Sequence, residues 1–201
     1  YVAYVFADYH RIEDNQTLAV TSGQTQQAQT GKSYALVCWN IGFGAYEDDY
    51  SFFMDGGTES WAWSEERLWK NLDEIAVVIE SLQPDLLLLQ EVDFDATRTY
   101  HVDEMEFLRT YNGIDADTDS VFAVNYDSPF LFYPFIRPHG ASRAGLLTRS
   151  ALTIESGLRR SLPIETGVTK LVDLDRCYSV ARLPVENGKT LCLYNLHLSA
   201  Y

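Results

Sequence analysis

The stretch SEERLWKNLDEIAVVIESLQPDLLLLQE, residues 64–91, decides the fold. Ser64 suits a helix N-cap, because its hydroxyl can accept from a first-turn amide, and Glu65 and Glu66 follow where the helix dipole favours negative charge. Leu68, Leu72, Ile75, Ile79 and Leu82 recur at alternating spacings of four and three. They make one apolar stripe along a helix that has to stop near Gln83, since Pro84 follows. Residues 85–90 are apolar without alternation, the pattern of a strand covered on both faces, and they lead into Glu91. Upstream, residues 34–39 (YALVCW) suit a second short buried strand, which runs into Asn40, Ile41, Gly42, Phe43 and Gly44, a polar residue with turn glycines. Strand, helix, strand with a short turn is a βαβ-like unit. It predicts that Asn40 and Glu91 emerge at the same edge of one sheet, where ligands bind in such folds.

Working outward, a second and weaker helix is predicted over about 97–111, stopping at Asn112 and Gly113. Short strands follow at 120–126, 144–148, 152–159 and 178–183, and Asn187-Gly188 is a hairpin signal leading into 190–198. Alternation in that last strand places Leu191, Leu193, Asn195 and His197 on one face. Three apolar strands thus each deliver a polar side chain of catalytic type: Asn40, Glu91 and His197. Residues 1–33 read as an N-terminal extension and polar connector, in which 8–33 are rich in Gln, Thr, Ser and Gly and 21–31 read as flexible, with the domain proper running from 34 to 201. The apolar opening, YVAYVFA at 1–7, has no initiator methionine. It reads equally as an ordinary first strand or as the stub of a removed signal or anchor helix, which would make the protein extracytoplasmic, membrane-anchored or secreted.

The chain has 201 residues, 46% of them hydrophobic and 13% aromatic. A chain of this size buries roughly 70% of its unfolded surface, which excludes intrinsic disorder and a disulfide-stapled miniprotein. The net charge of −14 argues against sequence-independent wrapping of nucleic acid, which needs a basic footprint. Residues 1–96 hold 4 basic and 17 acidic side chains, whereas 137–201 hold 9 and 5. Arg137, Arg143, Arg149, Arg159, Arg160, Arg176 and Arg182 either face an anionic substrate or are ordinary solvated positions. Cys38, Cys177 and Cys192 lack zinc-site spacing, and Cys38 and Cys192, inside apolar runs, read as small core residues.

Taken together and in order, CWNIG at 38–42, LLLLQEVD at 86–93 and LYNLHLSAY at 193–201 resemble the endonuclease/exonuclease/phosphatase superfamily, the deoxyribonuclease-I-like fold. SRAGLLTRS at 142–150 is similar to that family's glycine-led central strand, with Thr148-Arg149 where Ser-Arg is usual. The resemblance implies a four-layer α/β sandwich, incomplete in this chain, and a hydrolase acting on phosphoester bonds. It implies Glu91 as a ligand of Mg²⁺, or of Mn²⁺, and His197 as a contact to the scissile phosphate. Asn40 would hold the attacking water or the Glu91 carboxylate. Asn195 either supports the site or is purely structural. The family's later Asp-x-Asn motif and closing Asp-His pair do not follow His197, so residues 34–201 resemble the N-terminal part of the domain. The general base and further ligands are then expected from a missing C-terminal half, and this chain is expected to be inactive alone. His10, His101 and His139 match no motif and read as surface or structural. Gly42 stands where some nuclease members carry an acidic residue. With the acidic body, it favours a small phosphoester or a lipid head group over duplex DNA. The aromatic loop at 46–63, with Phe52, Phe53, Trp61 and Trp63, either packs on the fold or contacts bases or a membrane. The competing reading is a non-catalytic binding protein or pseudoenzyme on the same fold.

Overall fold

In the computed structural model, Ser64 Oγ accepts from Arg67 N at 3.1 Å and starts helix α1, Glu65–Leu82. The helix ends as Gln83 turns left-handed (φ 44°), immediately before Pro84. The structure describes residues 10–163 and 174–198 with Tyr4 and Ala7, so most of the opening run at 1–7 lies outside the described residues. Helix α1 buries Leu68, Leu72, Ala76 and Ile79. With each residue advancing 100°, burial of Ala76 turns the helix away from Leu82, which is 53% exposed and drops out of the predicted stripe.

Strand β2, Leu36–Asn40, and strand β3, Leu86–Ala96, flank α1 in sequence and pair in parallel, from Leu36 opposite Leu86 to Asn40 opposite Gln90. The first sheet has the order β2-β3-β5-β4, with β4 at Asp119–Leu131 and β5 at Gly140–Ser150. This makes β2 an edge strand. Leu36 is 49% exposed and Cys38 is exposed, correcting the buried-strand and core-cysteine readings; the buried cysteine is Cys177, and Cys192 is half-buried. The helix predicted over 97–111 is split. Tyr100 and His101 both adopt positive φ, which breaks it into a 3-10 turn, Thr97–Thr99, and helix α2, Glu104–Thr110.

The second sheet has the order β1-β6-β7-β8, formed by Gln16–Leu18, Ser156–Ser161, Cys177–Pro184 and Thr190–Leu196. The flexible reading of 21–31 is therefore corrected, and the polar segment before it contributes a strand. Gln16 to Leu18 pair with β6, while Thr21, Gln26 and Ala28 bridge to Ser120, Leu152 and Val185. Polar side chains hide this, because the backbone supplies the pairing and Asp119 accepts from Gly23 N and Thr25 Oγ1.

The four leucines of β3 serve both faces of the first sheet. Leu86 and Leu88 meet Val121, Ile154, Ala181, Leu183 and Leu193 between the sheets. Leu87 and Leu89 meet Leu147, Ala76, Ile79 and Leu108 under the helices. Among the described residues three of the four expected layers are present, helices on sheet on sheet, and no described helix covers the outer face of the second sheet.

Candidate active site

A β-bulge aims Glu91. Leu89 pairs with Leu147 and Val92 with Gly145, so Gln90 and Glu91 together oppose one residue, and Glu91 takes φ 54°. An extra residue breaks the alternation and turns this side chain toward the sheet end. Gly145, across from the bulge, is held to glycine by a close approach: a Cβ there would lie 2.5 Å from Ala123 O and 2.6 Å from the Phe122 ring. At the end of β2, Asn40 Oδ1 accepts from Gly42 N at 3.0 Å and its Nδ2 donates to Glu91 Oε1 at 2.9 Å. His197, one residue past β8, brings Nε2 to 3.3 Å from the same oxygen, while its Nδ1 faces Asn125 Nδ2 at 3.3 Å. The amide can donate only to an unprotonated Nδ1, so the pair selects the tautomer whose Nε2–H points at Glu91. Glu91 Oε2 has no partner among the described residues. Burial pushes the Glu91 carboxyl up, but hydrogen bonds from His197 and Asn40 and the charge of Arg98 outweigh it and hold it below the usual carboxylate range.

Asn195 stays behind this group. Buried, it accepts from Gln90 Nε2 at 2.6 Å and donates to Leu89 O and Leu147 O, both at 3.1 Å. It ties the end of β8 to both central strands of the other sheet, which fixes where His197 lands. The structure thus joins Asn40, Glu91 and His197 directly, and Asn195 through Gln90.

Several neighbours escaped the sequence reading. Arg98 is buried, and its Nε and Nη2 donate to Asp93 at 2.9 and 2.8 Å. Glu104 lies beneath, accepting from Asp93 N at 2.9 Å; burial and the Asp93 charge push its carboxyl well up. The available signal was an arginine shortly after Glu91 in an acidic half. Arg98, Asn125, Arg176 and His197 share a cavity of about 330 Å³ with Glu91, at the small end of ligand-site volumes. Tyr46, which donates to Asp55, also lines a groove of about 620 Å³ that reaches Asn40, Glu47 and Glu74. Gly42 has φ 55°, and its missing Cβ would lie 2.5 Å from the Tyr46 ring, so an acidic side chain has no room there.

Other candidates are structural. Arg159 is buried, donating to Val124 O and Asp175 O, and Arg149 donates to Leu108 O. Arg143 and Arg160 pair with aspartates, while Arg176, which donates to Leu198 O, lines the cavity that holds Glu91 and His197. Phe52 is buried against Phe43, and Trp61 donates to Pro138 O, so these loop aromatics pack on the fold. His139 is buried between Ser60 O and Ser142 Oγ, and His101 pairs with Asp95.

For a hard cation, Glu91 provides a carboxylate whose Oε2 is unpartnered among the described residues, and Asp55 lines the same cavity; among the described residues no three acidic, histidine or cysteine side chains cluster. That fits Mg²⁺, which keeps several waters and takes substrate oxygens.

Two facing sheets with helices on one side, and polar residues gathered at the strand ends, define the endonuclease/exonuclease/phosphatase fold. A solved endonuclease/exonuclease/phosphatase from Beutenbergia cavernae is similar over 83% of this chain, with 21% identity and a TM-score of 0.54. The chain spans 38% of that protein's length. A family protein from Leptotrichia buccalis is similar over 71% of this chain and 53% of its own, with 20% identity and a TM-score of 0.43. No protein-family model and no curated protein matches the sequence.

Proposed function

We propose that this chain carries the phosphate-facing part of the active site of a divalent-metal-dependent phosphoesterase, hydrolysing a phosphomonoester or phosphodiester by attack of water. The observation behind this is the Glu91 carboxylate, with one oxygen held by Asn40 and His197 and the other unpartnered. Glu91 would hold Mg²⁺ or Mn²⁺, which supplies Lewis-acid charge to a phosphoryl oxygen. Asn40 fixes the carboxylate, its own amide being oriented by Gly42 N. His197 presents Nε2–H at the cavity wall, where it can move from Glu91 to a phosphoryl oxygen and stabilise charge as it grows. Against the −14 body, a small phosphoester or lipid head group fits better than duplex DNA.

The test is hydrolysis of nitrophenyl phosphate and bis-nitrophenyl phosphate by the complete protein, with and without Mg²⁺ or Mn²⁺. Activity should require the ion and vanish in Glu91→Gln. Equal turnover by that variant would exclude the assignment. Phosphate-ester binding without turnover under any ion would favour the non-catalytic reading.

A further inference from the structure

We infer that Arg98 is an anion-binding residue of the cavity, donating from Nη1 to a non-bridging phosphoryl oxygen of the ligand. Arg98 is 6% exposed and lines the cavity that holds Glu91 and His197. Its Nε and Nη2 are taken by Asp93, and Nη1 has no partner among the described residues. The guanidinium cannot swing away. Its carbon lies 3.7 Å over the Phe43 ring, with Phe52 and Tyr126 each at 5.8 Å, and Asp93 is itself held by Thr99 Oγ1 and by its own amide bonded to Glu104.

A buried ion pair is weak support for stability, because desolvation offsets its attraction, and apolar side chains of similar volume serve a core as well. Here the pair instead fixes Nε and Nη2 of a planar fork and leaves Nη1 unpartnered among the described residues, on a side chain that lines the cavity, which suits recognition of phosphate. The identity of the anion rests on the phosphoesterase reading; the binding of an anion does not.

Calorimetric titration of the complete protein with inorganic phosphate in Mg²⁺ buffer tests this, with thermal melting as the check on folding. Arg98→Lys keeps a charge for Asp93 and loses the fork. It should weaken phosphate roughly ten-fold or more at an unchanged melting temperature, the scale of one charge-assisted hydrogen bond. Unchanged phosphate affinity in the folded variant overturns the inference and leaves the phosphoesterase reading intact. If Arg98→Lys does not fold, Asp93→Asn with Arg98→Gln replaces it, removing both charges while keeping a hydrogen bond. Retained affinity there also overturns the inference, and lost affinity with native melting supports it. Wild-type protein that binds no phosphate overturns it even if hydrolysis is found. Phosphate binding that depends on Arg98, in a protein that hydrolyses no phosphoester, supports the inference and sinks the reading.

Discussion

His197 stands between two partners, and each sets one of its nitrogens: Asn125 faces Nδ1 and Glu91 faces Nε2. A group poised as a donor to developing charge acts in the transition state. His197→Ala should therefore lower kcat by about a hundred-fold while KM changes little, on the scale of a lost oxyanion donor. Steady-state kinetics with a normal kcat would return His197 to a structural role. His139 shows the opposite use of the same side chain. Burial first, then the charge of Arg98, depress it from its ordinary 6.5 to about 3, against the hydrogen bond it donates to Ser60 O, which raises it. It is neutral in the fold, whereas the unfolded chain takes up a proton below pH 6.5. Its contribution is complete above that pH and is lost as the pH falls toward about 3, at roughly 1.4 kcal/mol per pH unit. Urea unfolding at pH 6.5 and 5 should show this slope in the wild type and a flatter one in His139→Gln.

The bulge in β3 ties one element to the chemistry, since it lets Glu91 leave the alternation of its strand. Gly145→Ala would set a methyl against Ala123 O, in the neighbouring strand of the same ladder, where neither backbone can yield cheaply. We expect a loss of about 1–3 kcal/mol, the range for overpacking, together with reduced metal-dependent activity as the bulge shifts. A variant melting like the wild type would show that the strands relax. Helix α1 and the paired ends of β2 and β3 were legible because apolar spacing records which faces are buried. The bulge left no such trace: the run of leucines simply continues into Gln90 and Glu91. The edge position of β2 depends on the order of distant strands, which is why Cys38 was misplaced in the core. The cluster of Asp93, Arg98 and Glu104 was invisible for another reason. In sequence a buried charge looks the same as a solvated one, and its partners are known only once the chain has folded.

For the molecule as a whole, the outer face of the second sheet and the edge at β8 stand open among the described residues. Tyr194 and Leu196 are 50% and 45% exposed, and Leu198 just beyond the strand is also exposed. Among the described strands, β8 pairs with β7 alone. An apolar strand edge invites pairing with another chain, and each large apolar side chain covered contributes about 1.5–3 kcal/mol. Against this stands the net charge of −14, a repulsion that acts across a distance and is screened by salt. The two forces differ in their response to salt, so the polypeptide of residues 1–201 by itself should self-associate more at high ionic strength than at low. Tyr194→Lys with Leu196→Lys, which places charge on that face, should restore the monomer without disturbing the inner face, where Leu193 and Asn195 are buried. Size-exclusion chromatography with light scattering over a range of salt measures both effects. A monomer at every salt concentration would mean that the open face of β8 is tolerated in water, and association that persists in the double variant would place the contact on another surface.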